Sequence, residues 1–582
     1  MGEVYRATDT KLDRDVAIKV LPTDKNRNHE GHPIQLYSLM KNLYSVIAVT
    51  LLTTCLPIAA QQLDQRFGDK IGNVIFPVTA NTEAAKQMVR GVALLHHMTY
   101  DDAEACFVKA LESDPNCAMA YWGQAMTILQ PLWPGVPKDV MLDKGWELLQ
   151  KARSVGIKTP REVSYIEALE AYFRDGKSRT EPQRLISFAQ GWQRVCEKFP
   201  NDNEASAFYA LIKMSTASTE DKTFAVQREA GAIAQAIKTR APNHPGAHHY
   251  IIHAYDYPPL ATKALETARN YGKVAPHVPH ALHMPTHIFT RLGLWDESID
   301  WNLKSADAAW LCGIEEGGTS SPYMHAVDYL VYAYLQTGQD KKAIELGTKI
   351  HGISYRQINA IIAGSAHAFS AIPARIAVER QDWVAAANLP TRHPHSFPWE
   401  NGYAHFEAVT YFAKALGAAR NGEFENAENQ ITKLASLRGE AAKYNSYWEK
   451  QVEIQRLSAL AWLQFESDHQ ERAIQTMHQA AQLEDTTYKH PVTPGELLPA
   501  GELLADMLLA SGNNKEALKQ YETTLQRSPK RFNSLYGAGR SAELAGNLDL
   551  AKGYFMQLAN MSRRADTLSP HLKHARSFLQ SQ

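Results

Sequence analysis

Three residues near the C-terminus, Ala505, Ala517 and Tyr521, return 34 residues later as Gly539, Ala551 and Phe555. A small-and-aromatic pattern that recurs at one stride marks a unit repeated in space as well as in sequence. From Asn81 onward, amphipathic stretches alternate with short turns of Gly, Asn and Asp, and few β-branched runs interrupt them. The chain therefore reads as almost wholly helical. Its 582 residues exceed what one hydrophobic core holds, whereas an array that grows by stacking meets that length directly. An apolar share of 45% and a charged share of 21% are those of a folded chain, so extended disorder is excluded over most of it.

Near the start, Gly91, Leu94, Ala103, Phe107, Ala110 and Pro115 fit the same template, with Tyr100-Asp101-Asp102 as the turn. Weaker copies centre on Gly293 to Ser298, Thr337 to Ala343 and Asn421 to Ala427, and another ends at Glu471-Arg472-Ala473. On these residues the chain resembles a tetratricopeptide-repeat protein. The resemblance implies an all-α fold, an α-solenoid of stacked helical hairpins, in which small residues let helices approach and an aromatic plugs the gap between them. Ala427 and Ala473 stand 46 residues apart, and proline-rich loops at 131–137 and 390–398 interrupt the array. Degenerate repeats with inserted loops are therefore expected. The stretches His244 to Asp256 and Pro279 to Phe289 resemble those of an exported bacterial group of this repeat type, which implies one repeat domain over 81–575. A solenoid presents side chains from many helices to a protein or peptide partner and requires no reacting group, so a binding scaffold without cofactor or enzymatic activity is expected.

The first sixty residues read differently. Met1 to Ala7, followed by Asp15-Val16-Ala17-Ile18-Lys19-Val20-Leu21-Pro22, resembles the start of a bacterial serine/threonine protein kinase over about twenty residues. That resemblance makes Gly2 the last glycine of the nucleotide loop, Val4 its valine and Lys19 the phosphate-binding lysine. The first two loop glycines, the catalytic loop and the metal-binding motif are missing, so phosphoryl transfer is not expected. Residues 1–39 are read as a kinase-like scrap and linker that forms no folded domain. From Met40, a basic Lys41, the uncharged apolar stretch Leu43 to Leu56 and Pro57-Ile58-Ala59-Ala60 read as a signal peptide over 40–60. With translation starting at Met40, the product would be periplasmic or secreted, without a stable membrane span after cleavage. Residues 61–80 are read as a linker.

Charge names no partner. With 61 basic against 62 acidic residues, no global field draws the chain to nucleic acid or an anionic membrane. Five cysteines form neither a CxxC pair nor a dense framework. Asp175-Gly176-Lys177-Ser178 ends like a phosphate loop but lacks the first glycine, and Ser365 lacks the second glycine of a nucleophile elbow. Trp122, Trp133, Trp295, Trp301, Trp310, Trp383, Trp399 and Trp462 fall mostly in helical stretches and are assigned to packing.

The histidines stand out. Eight of the 23, namely His244, His248, His249, His253, His277, His280, His283 and His287, fall within 44 residues. His249 and His253 are four apart, as are His283 and His287, so each pair shares a helix face. On antiparallel neighbouring helices the two pairs would converge on zinc or another transition metal, with Asp256 as ligand or orienter. The competing reading is that these rings hydrogen-bond loop backbone or line a polar groove. No His-Glu-x-x-His arrangement is present, so the general base of a zinc peptidase is absent.

Overall fold

A computed structural model of the chain describes the strands Glu3–Asp9 and Arg14–Val20 and residues 67–581, apart from 134–136, 219–220, 312–319, 357–362 and 401. It divides into two compact units, Met1–Gln65 and Arg66–Gln582. In the first, the two strands pair antiparallel, with Val4 opposite Lys19. Gly2 and the segment 40–60 read as a signal peptide lie outside the described residues.

Among the described residues of the second unit, every regular element is a helix, from Thr82–His96 to Pro570–Ser581. Successive helices pack in hairpins. The first helices of successive hairpins also pack on one another: Ala404–Arg420 on Ser446–Glu466, that on Ala500–Ala510, and that in turn on Phe532–Leu544. This ladder is an α-solenoid. No described helix is long and apolar enough to cross a membrane.

Local chemistry accounts for the hairpins. The side chain of Asn81 accepts a hydrogen bond from the Ala84 amide (2.9 Å) and starts the first helix. Thr159 and Glu162 form a reciprocal cap at the start of Pro160–Phe173. Gly512 and Gly546, again 34 residues apart, take φ of 76° and 80° in equivalent turns, a conformation that costs other residues a steric clash. The recurring residues sit where packing needs them. A Cβ on Gly91 or Gly123 would lie 2.5 or 2.6 Å from the Phe107 ring, so that ring fills the space left by two bare backbones. Gly539 stands in the same relation to Phe555, at 2.5 Å.

The array curves until distant hairpins meet. Residues 67–80, within the stretch read as a linker, are part of this body because Phe67, Ile71 and Phe76 are buried in its apolar core. There the Asn73 amide donates to the Asn243 carbonyl (2.9 Å). Further on, the Trp295 indole donates to the Lys530 carbonyl (2.9 Å), and the Asp566 amide to the Gly338 carbonyl (3.2 Å). Arg531, fully buried, is held by Glu379 (2.8 Å) and Glu502 (2.7 Å) and ties three hairpins together. Trp122, Trp295, Trp399 and Trp462 are buried, and Trp133, Trp301, Trp310 and Trp383 are half-buried against the same cores. Gly176–Ser178 form a short 3-10 turn capped by Asp175, and Ser365 is buried within Ala363–Glu379.

The glycine contacts predict a contrast. Gly123→Ala drives a methyl into the Phe107 ring and lowers the unfolding midpoint of the full chain. Gly439→Ala, in a helix with nothing within 4 Å, raises the midpoint, adding about 0.5–1 kcal/mol of stability through propensity alone. Urea titration of the two variants side by side measures this, and equal midpoints would contradict the packing role.

Candidate metal centre

Four helices bring the histidines together. Pro245–Tyr255 carries His249 and His253 one turn apart, started by a proline in its first turn. Pro279–His283 and Pro285–Arg291 run on from one another, each with a proline at its start, and carry His280, His283 and His287. Ser321–Gln336 adds His325. His249, His253 and His280 form one triad and His283, His287 and His325 a second. In each, one ring nitrogen per residue lies within 4.8 Å of the others.

The second triad is the inner one, and its protons can be assigned from its partners. The Nδ1–H of His287 donates to Asp256 Oδ2 (2.9 Å). The Nδ1–H of His283 donates to Asn302 Oδ1 (2.9 Å); the Asn302 amide nitrogen is turned the other way, donating to the Ser298 carbonyl (2.9 Å). A neutral imidazole carries one proton, so both Nε2 atoms are left with bare lone pairs. Those two atoms face each other at 3.0 Å. Two acceptors at that distance repel unless a positive charge lies between them. A proton is disfavoured there. Burial lowers the pKa of both rings, the charge of each opposes the other's in His283, and neighbouring Lys489 pushes the same way in both. His325 adds a buried Nδ1 with no partner, its ring 4.3 Å from that of His283.

Asp256 anchors this arrangement from behind. It accepts from His287 on one oxygen and from Arg291 Nε on the other (2.8 Å), and Lys489 Nζ lies 3.6 Å away. Burial alone would raise its carboxyl, but Lys489, Arg291 and His287 together hold it well below the ordinary range. Lys489 itself is pulled down to about 7 by burial and by Arg291. Asp256 is therefore an orienter of His287 rather than one of the triad.

The outer triad lies against it. His253 and His287 rings are 6.5 Å apart, and His280 and His283 rings 6.4 Å. The Nδ1–H of His249 donates to the His96 carbonyl (2.7 Å), which leaves its Nε2 to accept from the Nε2–H of His253 (3.1 Å). The Nε2 of His280 is buried without a partner. His253 is half-buried and lines a cavity of about 290 Å³, with Tyr257, Tyr447, Trp448 and His490 among its walls.

A third cluster shows what a self-sufficient histidine group looks like. Glu204 Oε2 accepts from His96 Nε2 (2.7 Å) and His244 Nε2 (3.2 Å). The remaining nitrogens accept from the Tyr250 hydroxyl (2.9 Å) and the Ala247 amide (3.1 Å). Every ring nitrogen there has a proton in the right place, and the cluster needs no cation.

His249, His253, His283 and His287 thus meet as the spacing suggested, but not as two pairs around one point. Each pair is completed by a further histidine, because the run from Pro279 to Arg291 turns His280 toward one pair and keeps His283 and His287 with each other. His280 belonged to the sequence cluster without a role, and His325 lay 38 residues beyond it, on a helix that only packing brings near. Lys19 and Val4 sit in the separate strand pair.

Residues 503–560 match the tetratricopeptide-repeat family, over the two hairpins that carry the 34-residue recurrence. No curated protein sequence matches the chain. Among solved structures, the human IFIT1 dimer with m7Gppp-AAAA aligns over 84% of this chain and 96% of its own, at 12% identity and TM-score 0.38. The APC/C hetero-tetramer Cut9-Hcn1 aligns over 85% and 75%, at 12% and 0.34, and yeast Tom70 over 86% and 95%, at 14% and 0.27. Likenesses this loose assign no chemistry to the chain.

Buried neutral histidines away from the triads lower stability in acid. Burial pushes His97 down to about 4 and His405 to about 3. The unfolded chain binds those protons from about pH 6.5 downward and the folded one does not, so stability falls as pH drops from 6.5 toward 4. Each such ring contributes a slope of about 1.4 kcal/mol per pH unit. Urea midpoints measured over that range should flatten in His405→Phe, and an unchanged slope would contradict a neutral His405.

Proposed function

We propose that this protein binds a transition-metal ion at its centre, held by His283, His287 and His325. One observation carries the reading: two imidazole Nε2 atoms face each other at 3.0 Å while the Nδ1 atom of each ring lies against an oxygen acceptor. A tetrahedral ion with nitrogens at 2.0–2.1 Å spaces them by about 3.3 Å, close to what is seen. Asp256 and Asn302 behind the rings supply the outer hydrogen bonds that metal-bound histidines usually make. Three neutral imidazoles with neither thiolate nor carboxylate suit copper or zinc rather than calcium or magnesium. His253, whose ring lies 6.5 Å from that of His287, lines a cavity large enough for a small ligand.

The repeat fold favours a second reading alongside this one. Stacked hairpins present an extended surface to a protein or peptide partner, and that surface is independent of the buried centre. A product beginning at Met40 would carry both properties to the periplasm, and near-neutral net charge argues against nucleic acid as partner. Mature N-terminal sequencing and co-purification from that fraction test this reading. Recovery of a mature chain retaining Lys19, or of no stoichiometric protein, would count against it.

For the metal, the full chain is stripped with chelator, exposed to zinc or copper and assayed by mass spectrometry of the metal. At least one equivalent should remain, and His283→Ala with His287→Ala should release the ion from the inner triad. Asp256→Asn should weaken binding about 10–100-fold. Acid should release the ion, because the rings must be deprotonated to bind it. Less than about 0.1 equivalent retained by the unaltered chain would dispose of the proposal.

A further inference from the structure

We infer that the centre holds two ions, the second at the outer triad of His249, His253 and His280. This rests on the inner site and extends it. The outer triad repeats the inner one's composition: a pair of rings one helical turn apart, joined by a third from another helix. Its Nε2 pair stands at 3.1 Å, matching the 3.0 Å of the inner pair. The His249 Nδ1–H is committed to the His96 carbonyl, so the His253 Nε2–H donates to His249 Nε2, and an ion would replace that one proton. His280, nine-tenths buried, brings an Nε2 with no partner. Buried polar atoms without partners are rare, and one that meets two further imidazole nitrogens points to a ligand. In the cluster of His96, Glu204 and His244, by contrast, every ring nitrogen has a protein partner.

The two triads touch through His253 against His287 and His280 against His283. Six neutral ligands bring no negative charge, and the charge of Asp256 is already matched by Arg291 and Lys489. A second dication beside the first is therefore opposed by repulsion, and loading should be stepwise, inner site first. The outer site is the one with solvent access, since half-buried His253 faces the 290 Å³ cavity. Copper is the ion of choice for the test, because nitrogen sites bind it most tightly among first-row divalent ions and its spin reports a neighbour.

Titration of the metal-free full chain with copper(II) should saturate at two equivalents, in two steps. Electron paramagnetic resonance should show an isolated copper signal at one equivalent and a coupled or diminished one at two. His280→Ala and, as the gentler change on a half-buried ring, His253→Gln should each stop at one equivalent with an uncoupled signal. Saturation of the unaltered chain at one equivalent, lost with His287→Ala, would overturn the second site and leave the first standing. Two equivalents with uncoupled signals, or a second equivalent that survives both outer variants, would place that ion elsewhere and overturn the inference. No binding at all would remove both sites.

Discussion

An aromatic ring pressed onto helix backbone that carries no side chain is the contact on which the rest of this structure depends. Phe107 lies between Gly91 and Gly123, and Phe555 lies against Gly539, each closer than any Cβ would permit. Such contacts let helices approach closely enough that each hairpin shares apolar surface with the next, the condition under which repeats stack into one continuous core. In the same body, Asn73 meets Asn243 just before the helix Pro245–Tyr255, and Trp295 meets Lys530. The interior is thereby removed from water.

Removal from water is what gives the histidines their chemistry. An imidazole in solvent can take a proton or a water molecule whenever geometry demands one; a buried ring must find its partner in the protein or in a bound ion. The chain contains both solutions. Around Glu204, a carboxylate, a tyrosine hydroxyl and a backbone amide satisfy every nitrogen. Around His283 and His287, the outward nitrogens are equally well served, and that very service turns two lone pairs toward each other. The contrast lies in the partners on the far side of each ring, since the residue type is the same in both.

Much of the fold was legible in particular residues. Gly338, Gly422, Gly512 and Gly546, each just past the end of a helical stretch, all adopt the left-handed turn expected there. Ala517, Tyr521, Ala551 and Phe555 are all buried. These positions could be read because their physics is local: a turn or a hairpin involves residues within one repeat. The pairs His249 with His253 and His283 with His287 were legible for the same reason, being one helical turn apart. His325 was not, since nothing in Tyr-Met-His-Ala-Val-Asp distinguishes it from a packing residue. The tie of Arg531 to Glu379 and Glu502 was equally silent, joining residues 152 and 29 positions apart.

The sequence alone therefore determined the helical hairpin, its turn, its small and aromatic contacts and the pairing of histidines on single helix faces. Each of these is set by side-chain spacing along one or two helices. Only the tertiary structure decided which third histidine completes each pair, that Asp256 stands behind His287 instead of beside it, and that the Glu204 cluster needs no ion. Those outcomes depend on the angle at which successive hairpins stack, a quantity summed over many small contacts and written in no single motif.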